Sequence, residues 1–149
     1  MKKILTHIDE KGNAKIVNVA TKEVTKRKAI AFGMIKVSSD VISIIKSDDN
    51  KKGDVLNVSK IAGIMAAKNT SNLIPLCHPI VLENIDLNFK IDTIKNQIEV
   101  TATVECSGKT GVEMESLTAV SVSLLTIYDM CKAVDKKMEI KEIYLLSKA

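Results

Sequence analysis

Asp129 and Lys132 stand three residues apart in "YDMCK" (128–132). On a helix that spacing places them on one face. A carboxylate and an ammonium held side by side can take a proton from a substrate and return it. The same two residues can also form an ordinary surface ion pair, which adds little to stability. Thr118, Val122 and Leu125 lie along the same face, which is therefore less polar than a solvated one. Spacing leaves both readings open.

A second chemical stretch is "GKTGVEME" (108–115). A glycine-containing turn that runs into a helix presents free backbone N–H groups, and anions are favoured there. The spacing G-x-x-x-x-G-K-[ST] of a nucleotide-binding P-loop is absent. Thr110 and Glu113 fit a T-x-x-E capping box, and spacing alone favours that structural role. The cap does not explain Glu115. Acidic residues are also enriched at helix starts for dipole reasons.

The third is "LIPLCHPI" (73–80), which sets His78 between Pro75 and Pro79 in an apolar run. A lone histidine in such a run is more often a core residue than a catalyst. Two prolines, however, fix φ and remove N–H donors, so the segment makes a poor central strand. It reads as a stiff loop displaying Leu76, Cys77 and His78, suited to positioning a ligand. Nothing nearby in sequence would activate the Cys77 thiol. Lys22, Arg27, Lys52, Lys68, Lys132 and Lys148 fall in or beside loops and helix ends. Several such cations are needed to neutralise a polyphosphate, although most of the 22 Lys and Arg are simply solvated.

These groups need elements to hold them. "AIAFGMIKV" (29–37) alternates as a strand, and "SSDVISIIKSD" (38–48) opens on N-cap residues and reads as a short helix. "DDNKKGD" (48–54) is a polar loop. In "VLNVSKIAGIMAAKN" (55–69), Val55, Val58, Ile61, Ala62 and Met65 recur at helical spacing and predict a helix with a wide apolar face. Strict alternation in "ENIDLNFKID" (83–92) and "QIEVTATVEC" (97–106), joined by "TIKN", predicts an antiparallel hairpin with one wet face. "VEMESLTAVSVSLLTIYDMCKAVD" (112–135) predicts a long helix with a stripe of Leu117, Val120, Ser121, Leu124, Tyr128 and Cys131, and "MEIKEIYLL" (138–146) a last strand. The order β-α-α-β-β-α-β predicts an α+β fold, a ferredoxin-like antiparallel sheet packed against helices. The first 28 residues read as a less regular arm with one weak strand or hairpin.

Composition sets the outer limits. With 149 residues and 46% apolar content, the chain suits a single domain, 1–149, with one aliphatic core, since aromatics are only 3%. No run of about 18 uncharged apolar residues exists to span a bilayer. The N-terminus lacks the apolar core of a signal peptide, so a cytoplasmic protein is expected. Cys77, Cys106 and Cys131 are odd in number and far apart, so neither a zinc cluster nor a disulfide framework is predicted. A net charge of +4 is compatible with an anionic ligand without requiring one.

Taken together, "KGDVLNVSKIAGIMAAKNT" (52–70), "LIPLCHP" (73–79), "TGVEMESLTAVSVSLLTIYDMCKAV" (110–134) and "LLSK" (145–148) resemble the MoaC family, the cyclic pyranopterin monophosphate synthases of molybdenum cofactor biosynthesis. "LTHID" (5–9) and "KEVTKRKAIAFG" (22–33) fit as well, so the resemblance runs over nearly the whole chain. It implies a ferredoxin-like unit in a homohexamer, a trimer of dimers, with active sites at dimer interfaces. It implies a cyclised dihydro-GTP as substrate, with pyrophosphate released. The family's essential aspartate and lysine fall on Asp129 and Lys132. Its substrate-binding segments fall on Leu76, Cys77 and His78, and on Met114 and Glu115, preceded by Glu113. Its pocket cations fall on Lys22, Arg27, Lys52, Lys68 and Lys148. Two departures stand out. Members often have "DVS" where this chain has "NVA" (18–20), so Asn18 keeps hydrogen bonding and loses the charge. Many members also carry a glycine-rich basic tail after the final lysine, whereas this sequence ends at Ala149.

The residue types suit the implied chemistry. Attack of a ribose hydroxyl on a phosphate mainly needs positioning and cations on the developing charge. The pterin rearrangement needs proton transfers, for which Asp129 with Lys132 is the best-placed pair. Magnesium can accompany the triphosphate, but no carboxylate site dedicated to a metal is visible, so no protein-bound cofactor or metal is expected. The main alternative is a ferredoxin-like nucleic-acid-binding module. Such modules stack bases on strand aromatics, and this chain has only Phe32, Phe89, Tyr128 and Tyr144. Neither a nucleic-acid partner nor a membrane is therefore expected.

Overall fold

A computed structural model describes residues 3–47 and 54–149. Four strands form one antiparallel sheet: β1 (Thr25–Lys36), β2 (Asn84–Asp92), β3 (Gln97–Gly108) and β4 (Glu139–Lys148), in the spatial order β2-β3-β1-β4. The helices are α1 (Ser39–Lys46), α2 (Val55–Lys68), α3 (Thr70–Leu73) and α4 (Glu113–Cys131). The predicted order is therefore found with one addition, the single turn α3. Two split βαβ units with this strand order make the ferredoxin-like α+β arrangement.

Alternation in the strands decides which face the helices cover. Ala29, Ala31 and Ile35 of β1 and Ile98, Val100, Ala102 and Val104 of β3 are all fully buried. Their neighbours Ile30, Phe32 and Thr101 point to the other, half-exposed face. In the β2–β3 turn the Asp92 carboxylate accepts from the N–H groups of Ile94 and Lys95 at 3.0 and 2.9 Å. Asn96 takes the left-handed conformation, φ 51°, which Asn tolerates better than most residues. On the opposite edge β4 is irregular, with register shifts against β1 and Glu142 at φ 58°. Such kinks discourage edge-to-edge pairing.

Helix α4 lies on the sheet, and α2 lies beside it. The Ser123 hydroxyl donates to the Ser59 carbonyl at 3.0 Å, and Gly63 abuts Ala119 and Ser123. Position 59 thus meets 123 and position 63 meets 119, so α2 and α4 run antiparallel. This contact corrects the expected face of α2. Of Val55, Val58, Ile61, Ala62 and Met65, only Val55 is buried. The buried positions are Val55, Ser59, Gly63, Ala66 and Ala67, because two backbones can approach closely only over small residues. Val58, Ile61 and Met65 are 40%, 59% and 57% exposed on the outer side. On α4 the expected stripe is likewise rotated: Val120, Leu124 and Cys131 are buried with Ala119, Ser123 and Ile127. This helix is covered on two sides, by the sheet at Gly33 and by α2 at Gly63, so its buried surface is wider than one stripe.

The Ser59 hydroxyl is buried and finds no hydrogen-bond partner among the described residues. Ser59→Ala removes an unpaired polar group without opening a large cavity. It is expected to raise stability by about 1 kcal/mol, read as a higher midpoint in urea.

The arm that precedes β1 carries a small hairpin. Asp9 Oδ1 accepts from the N–H groups of Lys11 and Asn13 at 2.9 and 2.8 Å, and Gly12 adopts φ 84°. Ile8 and Ala14 bridge, and the Lys15 N–H donates to the His7 carbonyl at 2.9 Å. Among the described residues, no helix is long and apolar enough to cross a membrane.

Candidate active site

Because α2 and α4 are antiparallel, the end of α2 lies toward the start of α4. The chain leaves α2 through α3 and the proline-bounded loop before entering β2. This path carries Leu76, Cys77 and His78 past the first turn of α4. Together with Glu113, Met114 and Glu115 they line a cavity of about 120 Å³, completed by Thr110, Gly111, Ile80 and His7. Two separate sequence predictions thus meet in one place. Leu76, Cys77 and His78 are half-buried, while Pro75 and Pro79 face outward, which agrees with a stiffened loop.

Glu115 is only 4% exposed. Burial pushes its carboxyl up, its own backbone N–H pulls the other way, and the charge of Glu113 pushes it up further. Burial and the Glu115 charge also raise the Cys77 thiol. The thiol therefore stays protonated at neutral pH and forms wall rather than nucleophile. The capping box expected from Thr110 and Glu113 is not formed. The N-cap of α4 is Val112, and no side chain caps it. Glu113 turns instead to Lys148, whose Nζ lies 3.1 Å from Oε1. Gly111 permits this, since a Cβ there would collide with the Glu113 carboxylate.

Charge buried at Glu115 has a consequence for stability. A carboxyl raised by folding binds its proton more readily in the folded chain, so the folded state is favoured at low pH. That advantage is lost as pH rises through the folded pKa. Glu115→Gln is therefore expected to melt higher than wild type at pH 8. The difference should vanish below pH ~4, under the ordinary carboxylate range, in thermal melts across that span.

The cations are dispersed around this end. Arg27 donates from Nε to the Gly108 carbonyl at 3.4 Å, and with Lys26, Lys28, Glu105, Cys106 and Ala149 it lines a second cavity of about 360 Å³. Lys22 is exposed on the arm, and Lys68 is exposed in the last turn of α2. Lys52 lies outside the described residues. Asn18, the departure noted above, accepts from the Ala20 N–H at 2.9 Å and shapes the turn before Lys22. His7 escaped sequence reasoning. The available signal was that the chain has only two histidines, and both line one cavity. Among the described residues no cluster of three or more His, Cys, Asp or Glu is arranged to hold a metal.

Asp129 and Lys132 are found at the opposite end of α4. Their Oδ1 and Nζ lie 2.7 Å apart, with side chains 71% and 61% exposed. The hydrogen bond that Lys132 donates to Asp129, and then the Asp129 charge, raise Lys132 above the ordinary lysine range. Glu113 and Asp129 stand sixteen residues apart on one helix, about 24 Å along its axis. A single chain therefore carries the two clusters at separate ends and does not bring them together.

A ferredoxin-like sheet that builds a small cavity of carboxylate, imidazole and thiol, with Lys148 paired to one of its carboxylates, defines a small-molecule-binding α+β protein. Comparison with known proteins makes the class specific. The chain belongs to the MoaC family, whose model matches residues 16–149. It is 58% identical over 144 residues to the cyclic pyranopterin monophosphate synthase of Clostridium perfringens (strain SM101 / Type A), covering 97% of this chain and 91% of that protein. To the protein of the same name from Staphylococcus carnosus (strain TM300) it is 56% identical over 145 residues, covering 97% and 90%. The synthase of Thermoanaerobacter sp. (strain X514) is 52% identical over 145 residues, covering 97% and 92%.

Proposed function

We propose that this chain is a cyclic pyranopterin monophosphate synthase. It converts (8S)-3′,8-cyclo-7,8-dihydroguanosine 5′-triphosphate to cyclic pyranopterin monophosphate and pyrophosphate, a step of molybdenum cofactor biosynthesis. The observation that carries the reading is the cavity in which Leu76, Cys77 and His78 meet Glu113, Met114 and Glu115, in a chain over half identical to proteins of that name.

A ribose hydroxyl forms a new bond to the α-phosphorus as the bond to the β-phosphate oxygen breaks. The hydroxyl proton goes to a base, and the departing pyrophosphate carries the charge. Asp129 is the base, since a carboxylate ion-paired with an ammonium is ionised at neutral pH. Lys132, held charged by that partner, returns protons to the ring system as the pterin forms. Lys22, Arg27, Lys52, Lys68 and Lys148 neutralise the phosphates. Magnesium enters with the triphosphate as part of the substrate.

The reaction needs Asp129 and Lys132 against the substrate that Glu115 and His78 hold. The two clusters stand at opposite ends of α4, so the site is completed by a second copy, in a homohexamer built as a trimer of dimers. The exposed Val58, Ile61 and Met65 on α2 and Leu125 on α4 support an oligomer that covers apolar surface. Purified protein should release pyrophosphate from the cyclic dihydro-GTP and give a pterin that fluoresces after oxidation. A well-folded hexamer that forms neither product would overturn the reading.

A further inference from the structure

We propose that His7 is a substrate-binding residue of the cavity, and that His78, besides lining that cavity, holds the arm that carries His7. This inference rests on the function proposed above. His7 lies before residue 16, where the family model begins, and its role is argued from the fold alone.

Three observations converge. First, His7 lines the same cavity of about 120 Å³ as His78, Glu113 and Glu115. Second, its backbone is fixed. The Lys15 N–H donates to the His7 carbonyl at 2.9 Å, the Asp9 N–H to the Asn13 carbonyl at 2.9 Å, and the Gly12 N–H to the Asp9 carbonyl at 3.0 Å. Third, the strap that follows is latched at two points by side chains from around the cavity. His78 Nε2 lies 2.6 Å from the Val17 carbonyl, and Lys109 Nζ donates to the Ala20 carbonyl at 3.0 Å.

The latch decides the roles of the two rings. A carbonyl only accepts, so Nε2 of His78 carries the proton and donates it to Val17. That donor is committed to the arm. The His7 ring has no hydrogen-bond partner among the described residues, so both its nitrogens remain for a ligand. Glu113 and Glu115 line the cavity and no Lys or Arg does so among the described residues, a poor setting for phosphate. His7 therefore meets a polar atom of the substrate's ring system, not its triphosphate.

The test uses the intact oligomer with the cyclic dihydro-GTP, and amide hydrogen exchange of residues 15–20. His7→Ala should raise KM about tenfold, the loss of one good hydrogen bond, with arm exchange unchanged. His7→Gln should recover part of that loss by keeping a donor and an acceptor. His78→Ala should speed arm exchange and raise KM, and His7→Ala in that background should add less than it does alone. His7→Ala at wild-type KM, or His78→Ala with an arm as protected as wild type, overturns this inference and leaves the proposed function standing. Wild-type protein that neither binds nor turns over the cyclic dihydro-GTP overturns both.

Discussion

Asp129→Asn is expected to lower kcat by roughly 10²- to 10⁴-fold, the range for removing a general base, with the fold and the oligomer intact. Asparagine keeps the shape and one acceptor but cannot accept a proton. The change is cheap for the fold because Asp129 and Lys132 are mostly exposed in the chain and sit at the end of α4, away from the core. Exposed ion pairs contribute little to stability. A purely structural role for the pair predicts the opposite pattern, lost stability and retained turnover. Thermal melting and steady-state kinetics on the same preparation separate the two.

The second large effect is on folding. Gly63→Val should destabilise the chain by about 3 kcal/mol, a fall in Tm of roughly 9 °C for a chain of this size. A Cβ at Gly63 would collide with the Ser123 hydroxyl and stand 2.5 Å from Leu87 Cδ2 and 3.0 Å from the Ala119 carbonyl. The carbonyl is helix backbone and cannot rotate away. The strain must therefore separate α2 from α4 or lift α2 off β2, and the antiparallel packing that sets the start of α4 beside the Leu76–His78 loop would loosen. A variant melting like wild type would show that α2 and α4 do not pack as described.

Strand alternation was legible because period two leaves one choice: Ala29, Ala31 and Ile35 against Ile30, Phe32 and Met34. The proline-flanked loop within 73–80 was legible because prolines act locally. The face of α2 was not, because hydrophobicity marks both sides of that helix. Only tertiary contact selects the small residues Ser59, Gly63 and Ala67 over Val58, Ile61 and Met65. The Thr110–Glu113 cap failed for a related reason: a distant cation, Lys148, pairs with Glu113. His7 was hidden because its approach depends on a latch spanning 61 residues, from Val17 to His78. The resemblance pointed to both clusters, yet helical rise keeps Glu113 and Asp129 about 24 Å apart, a separation that residue types alone do not reveal.

The central claim is that each active site joins the Glu115 end of one copy to the Asp129 end of another. Glu115→Gln and Asp129→Asn proteins, each inactive alone, should be unfolded together, refolded as mixed oligomers and assayed for pyrophosphate release from the cyclic dihydro-GTP. Random mixing in two-fold pairs restores about one site in four, because half the pairs are mixed and each mixed pair has one undamaged site. The account predicts recovery near a quarter of wild-type activity. Verified mixed oligomers with no activity above the two parents would contradict it.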